Sequence, residues 1–151
     1  MGQQKEIIST INSLIETLKD GEDGFKQAAD AVRDLQLKSL FGQYSQQRGR
    51  FASQLQTEAK ALGEDKPEKT SSAAGAIHRA WIDIKSVATS GDDHAILAEC
   101  ERGEDSAVKE YQEALKDTLT PPLNEIVSEQ FQQVKAAHDR IKSLRDAAKT
   151  N

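Results

Sequence analysis

Apolar residues recur at steps of three and four along most of this chain, which is the spacing of one face of an α-helix. Four such runs are long enough to form helices of several turns. The predicted helices cover about residues 4–33, 35–62, 93–119 and 121–149. Alanine, glutamine, glutamate, lysine and leucine dominate these runs, and all five favour helix. The pattern therefore predicts an all-α protein.

Residues with turn and capping preferences mark the helix boundaries. Gly63, followed by Pro67, predicts the end of the second helix. Asp92 and Asp93 predict an acidic start for the third, and Pro121 suits the first position of the fourth. The order of elements predicts two helical hairpins, the first from helices one and two and the second from helices three and four.

The segment between the hairpins carries a further helical pattern. Residues 71–88 place Ile77, Trp81 and Ile84 on one face, which predicts a short extra helix inside a long crossover. The whole chain, residues 1–151, is about the length of one domain, and it is long enough to bury a sizeable core without disulfides. We therefore predict a single-domain four-helix bundle with an added crossover helix.

A short phrase, Gly-Glu-Asp, occurs twice, at 21–23 and at 103–105. In each copy the glutamate falls on the apolar face of its helix, so Glu22 and Glu104 are both predicted to point inward. An ionised carboxylate in an apolar core costs several kcal/mol unless it is paired, hydrogen-bonded or bound to a cation. Each glutamate is therefore expected to have a buried partner.

Composition narrows the class of protein. The net charge is −5, and the 20 basic residues are spread along the chain, which argues against a nucleic-acid surface. No apolar run approaches the roughly 18 residues that a membrane span requires. The first residues open a helix and do not resemble a signal peptide, so a cytoplasmic location is expected. The single cysteine, Cys100, lies on an apolar helix face and is predicted to be a buried thiol.

These features resemble a known family. Five features carry the resemblance: the two hairpins, the repeated Gly-Glu motif, the Leu40-Phe41-x-x-Tyr44 stretch, the crossover helix around Trp81 and the turn at Gly91. With them the chain resembles uncharacterised bacterial four-helix bundles of the ferritin-like superfamily, in its rubrerythrin-type branch. The resemblance implies a ferritin-like fold. It also implies a di-iron site, which in that superfamily takes a glutamate from the first helix of each hairpin and a Glu-x-x-His pair from the second.

The implied ligand set is incomplete in this chain. Glu22 and Glu104 match the first-helix glutamates, and His138 matches one histidine. Where the remaining ligands are expected, the chain has Gln47, Arg50 and Lys135. A residual metal site of Glu22, Glu104 and His138 is one hypothesis, although a histidine on an apolar face is more often a hydrogen-bonded core residue.

Charge favours a different hypothesis. Two divalent cations need several carboxylates around them, and glutamine and lysine replace two of those expected. We therefore predict a buried polar network with no cofactor, in which the cations pair with the acids. The predicted network consists of Glu22, Gln47, Arg50, Glu104, Lys135 and His138.

The expected function follows from the choice between a metal site and a buried polar network. The leading hypothesis is a non-catalytic ferritin-like bundle that acts as a cytoplasmic interaction or stress-associated module, forms a homodimer and binds an unknown protein partner. The stress association is implied only by the resemblance. An alternative is a metal-dependent oxidase or peroxidase-like protein that uses iron or another divalent metal at Glu22, Glu104 and His138. A carrier of small ligands in the bundle interior is a third possibility.

Overall fold

The computed structural model describes residues 2–63, 81, 92–117 and 119–149, and these residues form four α-helices without strands. The helices are α1 Gly2–Ala31, α2 Leu35–Ala61, α3 Asp93–Lys116 and α4 Pro121–Lys149. All four begin and end within a few residues of the predicted bounds, so the all-α prediction is confirmed. The predicted crossover helix over 71–88 lies outside the described residues except for Trp81. No helix in the described ranges is long and apolar enough to cross a membrane.

The helices pack as two hairpins side by side. α1 packs along α2, α3 packs along α4, and the hairpins meet mainly where α1 contacts α3. The contact between α2 and α4 is slight. α2 and α3 therefore lie at diagonal corners of the bundle, so a side chain that joins them must cross the interior.

Side-chain caps fix the ends of the helices. The Asp34 carboxylate accepts hydrogen bonds from two backbone N–H groups in the first turn of α2, and Asp92 accepts one from the first turn of α3. The neighbouring Asp93 accepts from the backbone N–H groups of Arg33 and Asp34, at 2.9 and 3.0 Å. The start of α3 is thereby tied to the α1–α2 turn. Gly63, with φ of 101°, follows the last turn of α2 as predicted.

Two apolar clusters fill the interior, one towards each end of the bundle. The first cluster contains Ile7, Ile11, Leu14, Ile15, Leu18, Phe51, Ala52, Leu55, Ala59, Ala107, Tyr111, Ala114, Leu123, Val127 and Val134. The second cluster contains Phe25, Ala28, Val32, Phe41, Trp81, Ile96, Leu97, Cys100 and Ile141. Along both α2 and α3 the two clusters are separated by a buried charged residue, Arg48 on α2 and Glu104 on α3.

Trp81 lies between the two hairpins and is almost fully buried. Its indole ring packs against Gly24 of α1 and Gly103 of α3, where a Cβ atom on either glycine would overlap the ring. The ring of Phe25 meets the indole edge-on, with ring centroids 5.0 Å apart. The two glycines thus form a seat for Trp81, and its ring is not exposed for contact with a partner.

The seat changes how the repeated Gly-Glu-Asp phrase is understood. Gly103 contacts Trp81, but the glycine that contacts Trp81 from α1 is Gly24 and not Gly21. The residue after Gly103 is Glu104, whereas the residue after Gly24 is Phe25. The two copies of the Gly-Glu-Asp phrase therefore occupy different positions in the bundle. Glu22 and Glu104 do not take equivalent places, which corrects their pairing as matching glutamates.

We expect alanine at either seat glycine to destabilise the protein. In Gly24→Ala or Gly103→Ala the new methyl group must displace the indole ring, and overpacking of this kind costs about 1–3 kcal/mol. Gly42→Ala is the matched control, because its Cβ meets no atom within 4 Å and alanine is the better helix former by roughly 1 kcal/mol. Urea unfolding should therefore show a loss at 24 and 103 and a gain at 42. Equal effects at all three positions would contradict the seat.

Candidate functional site

An ion pair joins α2 to α3 across the middle of the bundle. Arg48 Nη2 donates to Glu104 Oε2 at 2.8 Å, and Nη1 donates to the second carboxylate oxygen, so the pair is bidentate. The side chains of Arg48 and Glu104 are 1% and 0% exposed. Arg48 Nε also donates to Gln47 Oε1 at 3.2 Å, and Gln47 donates to Gln133 of α4 at 3.2 Å. All three nitrogens of the guanidinium are therefore hydrogen-bonded.

The helix periodicity places both charges inside. Arg48 lies four residues after Tyr44 and three before Phe51, on the apolar face of α2. Glu104 lies four residues after Cys100 and three before Ala107, on the apolar face of α3. Residues at these steps share one face of a helix, so each charged side chain projects between the two apolar clusters.

The surroundings keep Arg48 charged. Burial alone would lower the pKa of Arg48, but the charge and hydrogen bonds of Glu104 raise it above its usual value. The guanidinium carbon also lies 5.2 Å from the centre of the Phe25 ring, at cation–π distance. Arg48 is thus held between an aromatic face and a carboxylate, and the interior keeps a fixed positive charge.

Neighbouring titratable groups stay neutral. Burial, followed by the nearby charge of Glu104, raises the pKa of the Cys100 thiol well above its usual value. A thiol in this state is a poor nucleophile and a poor metal ligand, because both roles require the thiolate. Burial also raises the pKa of the Tyr111 hydroxyl. The compensated Arg48–Glu104 pair therefore lies beside an uncharged thiol and an uncharged hydroxyl.

A second polar contact lies within the first apolar cluster. The Tyr111 hydroxyl donates to Gln130 Oε1 at 2.7 Å, and the Gln130 amide donates to Gln54 Oε1 at 2.9 Å and to the Phe51 carbonyl at 3.4 Å. These bonds connect α3, α4 and α2. Gln130 is 2% exposed, so its amide needs these partners to offset the loss of water.

The predicted network residues divide between the interior and the surface. Gln47 and Glu104 both bind Arg48, which the sequence hypothesis had not included. Glu22 instead is 31% exposed and pairs with Lys19 at 3.1 Å, which corrects its predicted inward position. Arg50 is exposed. The interior cation is thus the residue two positions before the one predicted.

The predicted residues on α4 also lie away from Glu104. Lys135 is 52% exposed and pairs with Asp139 at 3.2 Å, which corrects its predicted interior place. His138 is half-buried, and its ring nitrogens contact Asp105 at 2.5 Å and Asp139 at 3.0 Å. His138 therefore has carboxylate partners, although neither is Glu22 or Glu104.

A di-iron centre does not fit the bundle interior. The guanidinium of Arg48 occupies both oxygens of Glu104, and a fixed positive charge there opposes a metal cation. Glu22 and His138 are each engaged by other side chains near the surface. The three residues of the predicted residual metal site are thus not brought together.

Two interior residues were missed from sequence although a signal existed. Arg48 and Gln130 both fall on the apolar faces of their helices: Gln130 lies three residues after Val127 and four before Val134. Gln47 and Arg50 were selected instead by alignment to a Glu-x-x-His pattern. The apolar period was therefore the better guide to burial than the motif.

Comparison with known families adds one match. The sequence model of one protein family matches residues 6–117, which include nearly all of α1 and the whole of α2 and α3. The chain belongs to this family. It is described as a domain of unknown function, DUF2383. No match to a curated protein was found. In this DUF2383 chain, Arg48, Glu104 and both seat glycines lie within the matched residues, whereas Gln130 and His138 of α4 lie beyond them.

We expect the ion pair of this DUF2383 protein to behave as a coupled unit. Arg48→Met leaves a buried carboxylate unpaired, and breaking a buried pair in this way costs about 3–5 kcal/mol. Glu104→Gln should also destabilise the protein, because the amide keeps one acceptor for the guanidinium but leaves its buried charge without a counter-charge. The double variant Arg48→Met/Glu104→Leu should be more stable than Arg48→Met, because no charge remains uncompensated. Urea unfolding measures all three.

The matched control for this cycle is Arg50→Met, the same substitution on an exposed arginine of the same helix. Its effect should stay within about 0.5 kcal/mol, as for other surface changes. A double variant no more stable than Arg48→Met, or equal losses at 48 and 50, would show that the pair is not coupled.

Proposed function

We propose that this protein is a non-catalytic helical bundle of the ferritin-like type, in which an ion pair occupies the interior position of a di-iron centre. The observation that carries the proposal is the bidentate Arg48–Glu104 pair between the two apolar clusters. A carboxylate that already binds a guanidinium through both oxygens is a poor ligand for a metal. The bundle interior then serves stability, and function resides on the surface.

We place that function in protein association within the cytoplasm, with the stress-associated role implied by the ferritin-like resemblance. The alternative, a metal-dependent oxidase or peroxidase-like protein, requires Glu22, Glu104 and His138 to converge. Each of these side chains has a different partner, namely Lys19, Arg48 and Asp105. The contacts in the described part of the chain therefore support association over oxidation chemistry.

Iron loading tests the first half of the proposal. Protein purified without a histidine tag and incubated with Fe²⁺ in air should bind no pair of irons and show no oxo-bridged absorption band, because Arg48 opposes cations in the interior. Iron analysis and the absorption spectrum provide the measurement, and Arg48→Glu gives a comparison in which that opposing charge is removed. Two irons per wild-type chain with such a band would refute the proposal.

An apolar cleft at one end of the bundle supports self-association. The cleft has a volume of about 340 Å³, and its apolar lining includes Leu37, Leu40 and Leu144. Arg140 adds a positive charge to the lining, and Asp34 and Asp93 add two negative charges. Leu35, close to these residues in sequence, is 78% exposed, the one large hydrophobic side chain so exposed in the described ranges. In a two-fold dimer each arginine could meet an aspartate of the partner, because such an interface is self-complementary.

We therefore expect a homodimer that depends on this end of the bundle. Sedimentation at micromolar concentration should report about twice the chain mass of 16.6 kDa. Leu35→Ser should weaken the dimer because it removes apolar contact area, whereas Gln43→Ser, exposed on the same helix, should not. A wild-type monomer would argue against this association. A dimer insensitive to Leu35 would place the interface elsewhere on the surface.

A further inference from the structure

Three side chains that commonly bind metals converge on the outer side of α3 and α4. Glu101 and Asp105 lie one turn apart on α3, and His138 approaches them from α4. One ligand atom of each lies within 4.8 Å of the ligand atoms of the other two. Glu101 is buried, His138 is half-buried and Asp105 is exposed. The cluster therefore runs from the helix interface out to solvent, which gives an ion a direct route of entry.

This cluster is separate from the interior ion pair. Glu104 lies between Glu101 and Asp105 in sequence, but its side chain is 0% exposed and binds Arg48. Residues 101 and 105 share a different face of α3, since they are four residues apart. The cluster of Glu101, Asp105 and His138 thus does not include Glu104, which the ferritin-like resemblance implies as a metal ligand.

The His138 ring stands between two carboxylates. Its Nδ1 lies 3.0 Å from Asp139 Oδ1, and its Nε2 lies 2.5 Å from Asp105 Oδ1. A neutral imidazole has one N–H, so it can donate to only one of these oxygens. If that proton is on Nδ1, the Nε2 lone pair faces a carboxylate oxygen, and the contact is favourable only with a cation between or beside them. A second ring proton or a metal ion meets this requirement.

Asp139 holds the ring in the orientation that metal binding needs. Histidine ligands usually donate their second N–H to a carboxylate, which fixes the ring and its tautomer. Asp139 Oδ1 lies 3.0 Å from Nδ1, and Lys135 donates a hydrogen bond to Asp139 Oδ2 at 3.2 Å, which holds the carboxylate in that place. Nε2 is thereby directed towards Asp105.

Charge and donor type indicate the class of ion. Two carboxylates balance one divalent cation, and a mixed set of one nitrogen and two oxygens suits zinc and its first-row neighbours better than magnesium or calcium. Ligands of a tetrahedral zinc lie about 3.4 Å apart, given bonds of roughly 2.1 Å. Side-chain rotations would have to open the 2.5 Å contact between His138 Nε2 and Asp105 Oδ1 to that spacing and bring the more distant ligand atoms, up to 4.8 Å apart, closer together. Arg145 pairs with Glu101 Oε2, so Glu101 can balance a bound cation only when Arg145 leaves it for Asp146, its second acidic partner.

We propose that Glu101, Asp105 and His138 form a surface site for one divalent transition-metal ion, of which Zn²⁺ is the expected occupant. Three protein ligands leave a coordination position for water or for a group from a partner. The site takes one ion and needs no second, so it depends neither on whether a di-iron centre forms nor on the proposed association.

Titration of the full, untagged chain tests the site. Calorimetry with Zn²⁺ should give one ion per chain, and Co²⁺ should develop visible absorption bands when it binds. His138→Ala should weaken Zn²⁺ binding by more than about 100-fold, and Asp139→Asn by about tenfold, because outer carboxylates typically contribute 10- to 100-fold. Circular dichroism in the presence of a chelator should show that both variants remain folded, since both positions lie towards the surface.

His94→Ala is the matched control, because it removes a histidine on α3 outside the cluster and should leave binding unchanged. Zn²⁺ binding that survives His138→Ala, or that is lost with His94→Ala, would overturn the assignment. Absence of Co²⁺ bands and of calorimetric heat in the wild-type chain would also overturn it, and would leave a second ring proton as the cation at His138.

Discussion

A charge buried in the middle of a helical bundle must meet an opposite charge in a fixed geometry, and the packing of this protein satisfies that condition at Arg48 and Glu104. Because the two residues lie on diagonal helices, their contact fixes how far α2 and α3 can slide along one another. The apolar clusters on either side are divided at this level. Hydrophobic burial alone tolerates many alignments of four similar helices, whereas a bidentate pair tolerates few.

The ion pair is also linked to the position of Trp81. The Phe25 ring contacts both Arg48 and Trp81. Its centre lies 5.2 Å from the guanidinium carbon of Arg48 and 5.0 Å from the centre of the Trp81 ring. Trp81 in turn rests on Gly24 and Gly103. Charge compensation, aromatic packing and close helix approach therefore meet in one small region, where a change in any of them alters the surroundings of the others.

The sequence predicted the helices well because their signals are local: apolar period, capping aspartates, Gly63 and a proline at position 121. The interior partners were harder to predict because they depend on which faces meet across the bundle. Glu22 shows this limit, since it lies four residues after buried Leu18 yet is half-buried beside Lys19. The apolar period of α2 does place Arg48 on the buried face, but alignment to the Glu-x-x-His motif of the resembling family selected Arg50 instead. The metal-binding cluster on α3 and α4 joins residues more than 30 positions apart, and no local pattern encodes it.

The seat of Trp81 has a consequence for the order of folding. Each hairpin can form from contacts between helices that are adjacent in sequence, which are the contacts that form fastest. The seat does not exist in either hairpin alone, because one glycine belongs to α1 and the other to α3. The indole can therefore reach its native place only once the hairpins have come together, or as they do so. Docking of Trp81 is accordingly a late step that reports on the coming together of the two hairpins.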